Sequence, residues 1–207
     1  SNDGDVTGNY GRYDYWVVKL NSAGEIQWQK CLGGSDDDYV RSIQQTSDGG
    51  YIVAGMSESN DGYVSGWHEG YDYYSDPVPD SWIVKLNSAG DIEWQKCLGG
   101  SNRDGALSIQ QTADGGFIVA GWSYSNDGDV RGNHGGADYW IVKLSSVGEI
   151  EWQKCLGGSS YDAAYSVKQT SDGGFIVAGE SCSNDGDVTG NYGRYDYWVV
   201  KLNSAGE

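Results

Sequence analysis

The sequence predicts an all-β protein made of repeated four-stranded antiparallel units. Three observations carry that prediction: a set of phrases recurs in fixed order, the apolar runs have strand length, and no segment shows the 3.6-residue apolar period of a helix. The phrase WQKCLGG recurs with its Trp at Trp28, Trp94 and Trp152, and (S/A)DGG(Y/F)IVAG begins at Ser47, Ala113 and Ser171. W(V/I)VKL starts at Trp16, Trp82, Trp140 and Trp198, so the spacings are 66, 58 and 58 residues. The unit is 58 residues, and the longer copy carries an eight-residue insertion between Ser59 and Asp80. Residues 1–25 and 183–207 are identical.

Each unit reads as four strands. The first is centred on Ser42-Ile43-Gln44-Gln45-Thr46 and ends in Ser47-Asp48-Gly49-Gly50, a tight turn in which Gly supplies positive φ. The second, Tyr51-Ile52-Val53-Ala54, is continuously apolar, as a strand covered on both faces requires. After a long polar loop comes the third, Trp82 to Leu86, then an Asn87-Ser88-Ala89-Gly90 hairpin. Ile92, Trp94 and Leu98 mark the fourth. Gly recurs too often for a helix interior.

A repeated four-stranded unit with Gly and aromatic marks is the sequence cue for a β-propeller blade. The run from Asp14 to Gly34 (DYWVVKLNSAGEIQWQKCLGG), followed by (S/A)DGG(Y/F)IVAG, resembles the seven-bladed β-propeller repeat family of bacterial and archaeal secreted or surface proteins. The resemblance spans essentially the whole chain. It implies a propeller fold and an extracellular or cell-surface location, and much less about activity, because propellers host unrelated functions. By analogy the SIQQT strand is innermost and the IQWQKCLGG strand outermost. The chain then divides into strands three and four of one blade, two complete blades, and strands one to three of another. Some three blades' worth cannot close a ring, so the remainder comes from further sequence or from a second chain, and self-association through open blade edges is expected.

Composition narrows the partners. Thirty acidic against thirteen basic residues give a net charge of −17, which argues against nucleic acid and anionic membrane surfaces. No apolar stretch approaches the ~18 residues of a membrane span, and the N-terminal residues do not read as a signal peptide. Nine Trp and sixteen Tyr argue for a packed fold. In a four-stranded meander the long loops and the connections between units fall at one end, and those segments carry a net −16, whereas all eight Lys lie in strands. Such a face suits a binding surface. Its oxygen-rich loops, such as Ser125-Asn126-Asp127-Gly128-Asp129, also offer ligands of the kind Ca²⁺ takes, although their spacing departs from the EF-hand pattern and Asn, Asp and Gly equally serve turns.

The insertion reads as the one place where the units clearly differ. It adds aromatic residues beside Glu69, Asp72 and Asp76, and Trp67, Tyr71, Tyr73 and Tyr74 are the candidate ligand-binding residues, suited to the apolar face of a sugar. The competing reading folds those rings back onto the loop and the neighbouring unit. Cys31, Cys97 and Cys155 occupy equivalent positions in successive units, too far apart for a disulfide, and Cys182 stands alone in a loop. His68 and His134 have no local nucleophile motif, no G-x-S-x-G phrase occurs, and the Gly-Gly pairs precede no helix. The strand lysines read as structural, their ammonium groups reaching acidic neighbours. The functional expectation is a non-enzymatic propeller module with an adhesive or protein-binding acidic face. A carbohydrate-binding module and a part of a larger catalytic propeller are the alternatives.

Overall fold

A computed structural model describes residues 4–207; the first three residues, including Asp3 of the first acidic loop, lie outside the described part. The described residues form thirteen antiparallel strands and no helix, in four sheets. The first sheet pairs β1 (Tyr15–Leu20) with β2 (Ile26–Leu32). The second is the meander β3 (Asp38–Gln45), β4 (Tyr51–Ser57), β5 (Asp80–Leu86) and β6 (Ile92–Leu98). The third repeats it with β7 (Asp104–Gln111), β8 (Phe117–Ser123), β9 (Asp138–Leu144) and β10 (Ile150–Leu156). The last holds β11 (Asp162–Gln169), β12 (Phe175–Ser181) and β13 (Asp196–Leu202). The division into two, four, four and three strands is the one the repeat phrases lead to.

The recurring phrases are explained by what each residue touches. In SIQQT, Gln44 accepts a hydrogen bond from the backbone N–H of Gln111 at 2.7 Å, and Gln110 does the same for Gln169 at 2.9 Å. Ser42 and Ser108 accept from the N–H groups of Ile109 and Val167. Side-chain amides and hydroxyls thus satisfy the backbone donors of the next sheet's first strand, which has no ladder partner on that side. The Trp of W(V/I)VKL donates to the Gln of WQK within its own sheet, Trp82 to Gln95 at 2.7 Å and Trp140 to Gln153 at 3.0 Å. The Trp of WQK reaches forward instead: Trp94 packs edge-on against Phe117, and its ring covers Gly148 in the next sheet's hairpin. Gly148 has φ +80° and no room for a Cβ, so the SxxG turn is fixed by both backbone and neighbour.

The strand lysines hold the opposite end. Lys85 and Lys143 are buried, and each ammonium bridges a turn carboxylate and an outer-strand carboxylate, Asp48 and Glu93 for one, Asp114 and Glu151 for the other. Lys30 and Lys96 cross between sheets to Asp91 and Glu149. The apolar core consists of three clusters lying between successive sheets, with Trp82, Tyr15, Tyr139 and Phe117 among its largest fully buried side chains.

One position breaks the internal symmetry of this core. Tyr15 donates its hydroxyl to Trp82 O in the next sheet, and Tyr139 donates to Trp198 O at 2.9 Å. The equivalent residue of the second sheet is Ser81, buried, with a hydroxyl that has no hydrogen-bond partner. Ser81→Tyr is therefore expected to stabilise the protein by about 2 kcal/mol through ring burial and one added hydrogen bond. That corresponds to a rise of roughly 5 °C in a thermal melt followed by circular dichroism. An unchanged or lower melting temperature would show that neighbouring side chains already fill the space.

Candidate functional site

The acidic loops and the connections between sheets meet at one end of the strands, and a repeated set of buried aspartates ties them together. Asp38, at the start of β3, accepts from Gly34 N at 2.9 Å and from the hydroxyls of Ser57 and Ser59. Asp104 accepts from Gly100 N and Ser125, and Asp162 from Gly158 N and Ser183. Asp61, Asp127 and Asp185 of the SNDG phrases accept from the N–H groups of Ser35, Ser101 and Ser159 at 2.7 to 2.8 Å. The Asn-Asp-Gly loops are thus turns whose carboxylates fasten them to the preceding connection. Burial pushes Asp38 up to about 6 and Asp104 up to about 7 against the opposing pull of these hydrogen bonds.

The two histidines occupy the same place in successive units. His68 Nδ1 lies 2.8 Å from the buried Asp80 and its Nε2 3.7 Å from Asp129 of the following loop. His134 repeats the arrangement with Asp138 at 2.6 Å and Asp187 at 3.8 Å. The hydrogen bonds to Asp80 and Asp138 raise both imidazoles above their ordinary value, and each ring lies between carboxylates of neighbouring loops. Tyr10 and Tyr192 stand at this position elsewhere, and their backbone N–H groups bond Asp14 and Asp196 as those of His68 and His134 bond Asp80 and Asp138.

Trp67, Tyr71, Tyr73 and Tyr74 fall into two ring pairs, and Trp67 and Tyr71 pack edge-on with ring centres 5.7 Å apart. The Trp67 indole donates to Val78 O at 2.8 Å, the bond that the Asn133 amide makes to the equivalent Gly136 O in the next unit, and the ring packs against the core. It closes the enlarged loop. Tyr73 and Tyr74 stack edge-on against each other at the loop tip, 94% and 79% exposed. Tyr71, 56% exposed, is the one of the four that faces a cavity.

That cavity is an open groove of about 580 Å³ between the insertion and the third and fourth sheets. Tyr71, Asp72 and Val78 form one wall, and Asn102, Arg103, Trp122, Tyr124 and Tyr161 the rest, with Gly135 at its edge. Trp122 and Tyr124 pack edge-on with ring centres 5.8 Å apart, and Tyr124, Tyr161 and Tyr195 continue the row at 6.5 and 6.4 Å. The Arg103 guanidinium lies 3.4 Å from Asp72 across the groove. A smaller cleft of about 350 Å³ adjoins it, lined by Asp36, Asp37, Glu58 and Asp76 as well as Asp72 and Arg103. Glu58 is pushed up to about 7 there, by burial first and then by Asp37.

The sequence reading does not single out Trp122, Tyr124, Asn102, Arg103 or Tyr161, although their departures from the repeat mark them. Trp122 stands where the other units have Met56 and Glu180, Tyr124 where they have Glu58 and Cys182, and Arg103 where they have Asp37 and Tyr161. The insertion is accordingly not the only place where the units differ, which corrects the reading from sequence. A second set of differences lies at the end of the second strand and just before the first, and the groove gathers both.

Cys31, Cys97 and Cys155 are buried free thiols and Cys182 is a partly exposed one; burial pushes Cys155 up to about 12. Among the described residues, no group of three or more His, Cys, Asp or Glu side chains is placed to hold a metal ion. No family model matches the chain. Among curated proteins, the regulatory protein FlaEY of Caulobacter vibrioides is 31% identical over 137 residues, or 66% of this chain. The chain spans 14% of that protein's length.

Proposed function

We propose that the chain is a run of β-propeller blades serving as a non-catalytic recognition module outside the cell or on its surface, with its partner site on the acidic loop face. The observation that carries this reading is the convergence on one groove of residues that differ between otherwise near-identical units. Frame residues such as Trp82, Trp140, Gln95 and Gln153 repeat because they hold sheets together, whereas the groove-lining positions are free of that duty. Large exposed aromatics beside an arginine are also what protein and ligand interfaces concentrate at their centres. The blade reading is supported by the clasping of successive first strands through Gln44 and Gln110.

The test is binding of the immobilised protein to peptide and glycan arrays, with Trp122→Met and Tyr124→Glu as variants. Both substitutions place in the third sheet the residues that the second sheet already carries at Met56 and Glu58, so the frame is kept. Loss of an array signal by at least about tenfold, the equivalent of ~1.4 kcal/mol, is expected. Signals indifferent to both variants would put recognition elsewhere.

Self-association belongs to the same reading. The strands equivalent to β1 and β13 are interior in the complete sheets, yet here each has a bare edge, with Trp16, Tyr197 and Val199 exposed. Light scattering is expected to show dimers or larger species at micromolar concentration. A stable monomer would contradict it.

A further inference from the structure

We propose that the groove is a saccharide site, in which Tyr71, Trp122 and Tyr124 offer ring faces and Asn102, Arg103 and Asp72 offer hydrogen bonds to a neutral oligosaccharide. The inference rests on the recognition-module reading and names its ligand. Its volume of about 580 Å³ falls in the range of small-ligand clefts. The polar groups are of both kinds that sugar hydroxyls need. Arg103 and Asn102 supply donors and Asp72 an acceptor, with Arg103 and Asp72 held at 3.4 Å by their ion pair. The aromatic groups supply the apolar surface on which the C–H face of a pyranose lies.

The surroundings narrow the ligand further. The acidic loop face disfavours sulfated or uronic glycans. Strand addition by an extended peptide is disfavoured: β8 and β9 are interior strands, the edge strand β7 gives the N–H groups of Ile109 and Gln111 to Ser42 and Gln44, and the insertion spends backbone groups on its own Tyr71–Pro77 bridge and on the bond from Val78 N to Gly70 O. A polyproline helix needs ridges running in parallel, whereas the Trp122 and Tyr124 rings are inclined at 75°.

The experiment is isothermal titration of the protein with neutral hexasaccharides of glucose, mannose and N-acetylglucosamine, with tryptophan fluorescence as a second readout. A sulfated octasaccharide and a proline-rich decapeptide serve as comparisons. At least one neutral hexasaccharide is expected to bind with Kd below roughly 1 mM, weakened about tenfold or more by Trp122→Met or Tyr124→Glu. Tyr73→Ala, at the loop tip, is expected to leave the affinity unchanged. Circular dichroism of each variant establishes that its fold is retained. Binding of none of the neutral hexasaccharides, or binding insensitive to both groove variants, overturns the proposal. Groove-dependent binding of the peptide alone overturns the saccharide and leaves the recognition module standing; silence from every probe and from the arrays removes both.

Discussion

Acidification from pH 8 to pH 5 is expected to raise the melting temperature, by an amount on the order of 10 °C. Asp38 and Asp104 are pushed up to about 6 and about 7 by burial, and Glu58 to about 7 by burial and Asp37. The folded protein therefore holds these protons at a pH where the unfolded chain has released them. Between about pH 4 and pH 7 it binds more protons than the unfolded state, and stability falls as pH rises. His68 and His134 act with the same sign, because hydrogen bonds to Asp80 and Asp138 raise them. Their contribution is fully present below the ordinary imidazole value of ~6.5 and is lost as pH rises through the higher folded value. Opposing carboxylates set the lower limit. Asp114 is drawn down to about 2 by Thr112, and Asp48 and Asp172 are held below the usual carboxylate range by Thr46 and Lys201 respectively. Their stabilisation disappears only as pH falls below about 4, so the optimum lies near pH 5. Thermal melts from pH 3 to pH 9 measure the profile. A maximum at neutral pH would contradict this account, as would an Asp104→Asn variant whose slope matches that of the parent.

Gly121→Ala is expected to cost about 3 kcal/mol, lowering the melting temperature by roughly 10 °C. The first strand of each sheet carries a bulge, between Val40 and Ser42, Ala106 and Ser108, and Ala164 and Ser166. The last Gly of each IVAG phrase lies opposite, and a Cβ at Gly121 would collide with the Gly105 carbonyl oxygen. The obstacle is backbone on the paired strand, so no side-chain rotation relieves it. Gly115→Ala is the comparison: φ is +85° but nothing lies near its Cβ, and the expected cost is about 1 kcal/mol. Equal losses at the two sites would remove the bulge as the reason that Gly recurs at the end of the phrase.

The strands were legible because each is punctuated by residues with a single physical duty. The turn glycines adopt positive φ, IVAG is covered on both faces in β4 and β8, and Trp and Gln mark paired strands. The destination of each long-range bond was not legible. SIQQT looks like any polar strand until Gln44 is placed beside the N–H of Gln111. The candidate site was read in part for a similar reason. An insertion announces itself by length, so it points to Tyr71 of the proposed groove together with Trp67, Tyr73 and Tyr74. Single replacements inside a repeated phrase announce themselves only when the copies are laid over one another and their strand ends are known to converge. Trp122 and Tyr124, which line the proposed groove, are replacements of that kind. Lys30, Lys85, Lys96, Lys143 and Lys201 do reach acidic neighbours, as a charge in an apolar strand requires.

The amide clasps between first strands make neighbouring sheets adhere without sharing a backbone ladder. Each sheet closes its own ladder, so a copy gained or lost by recombination leaves the remaining pairings untouched. Such a scaffold tolerates editing of its length, and side chains at the strand ends can change while the frame stays as it is.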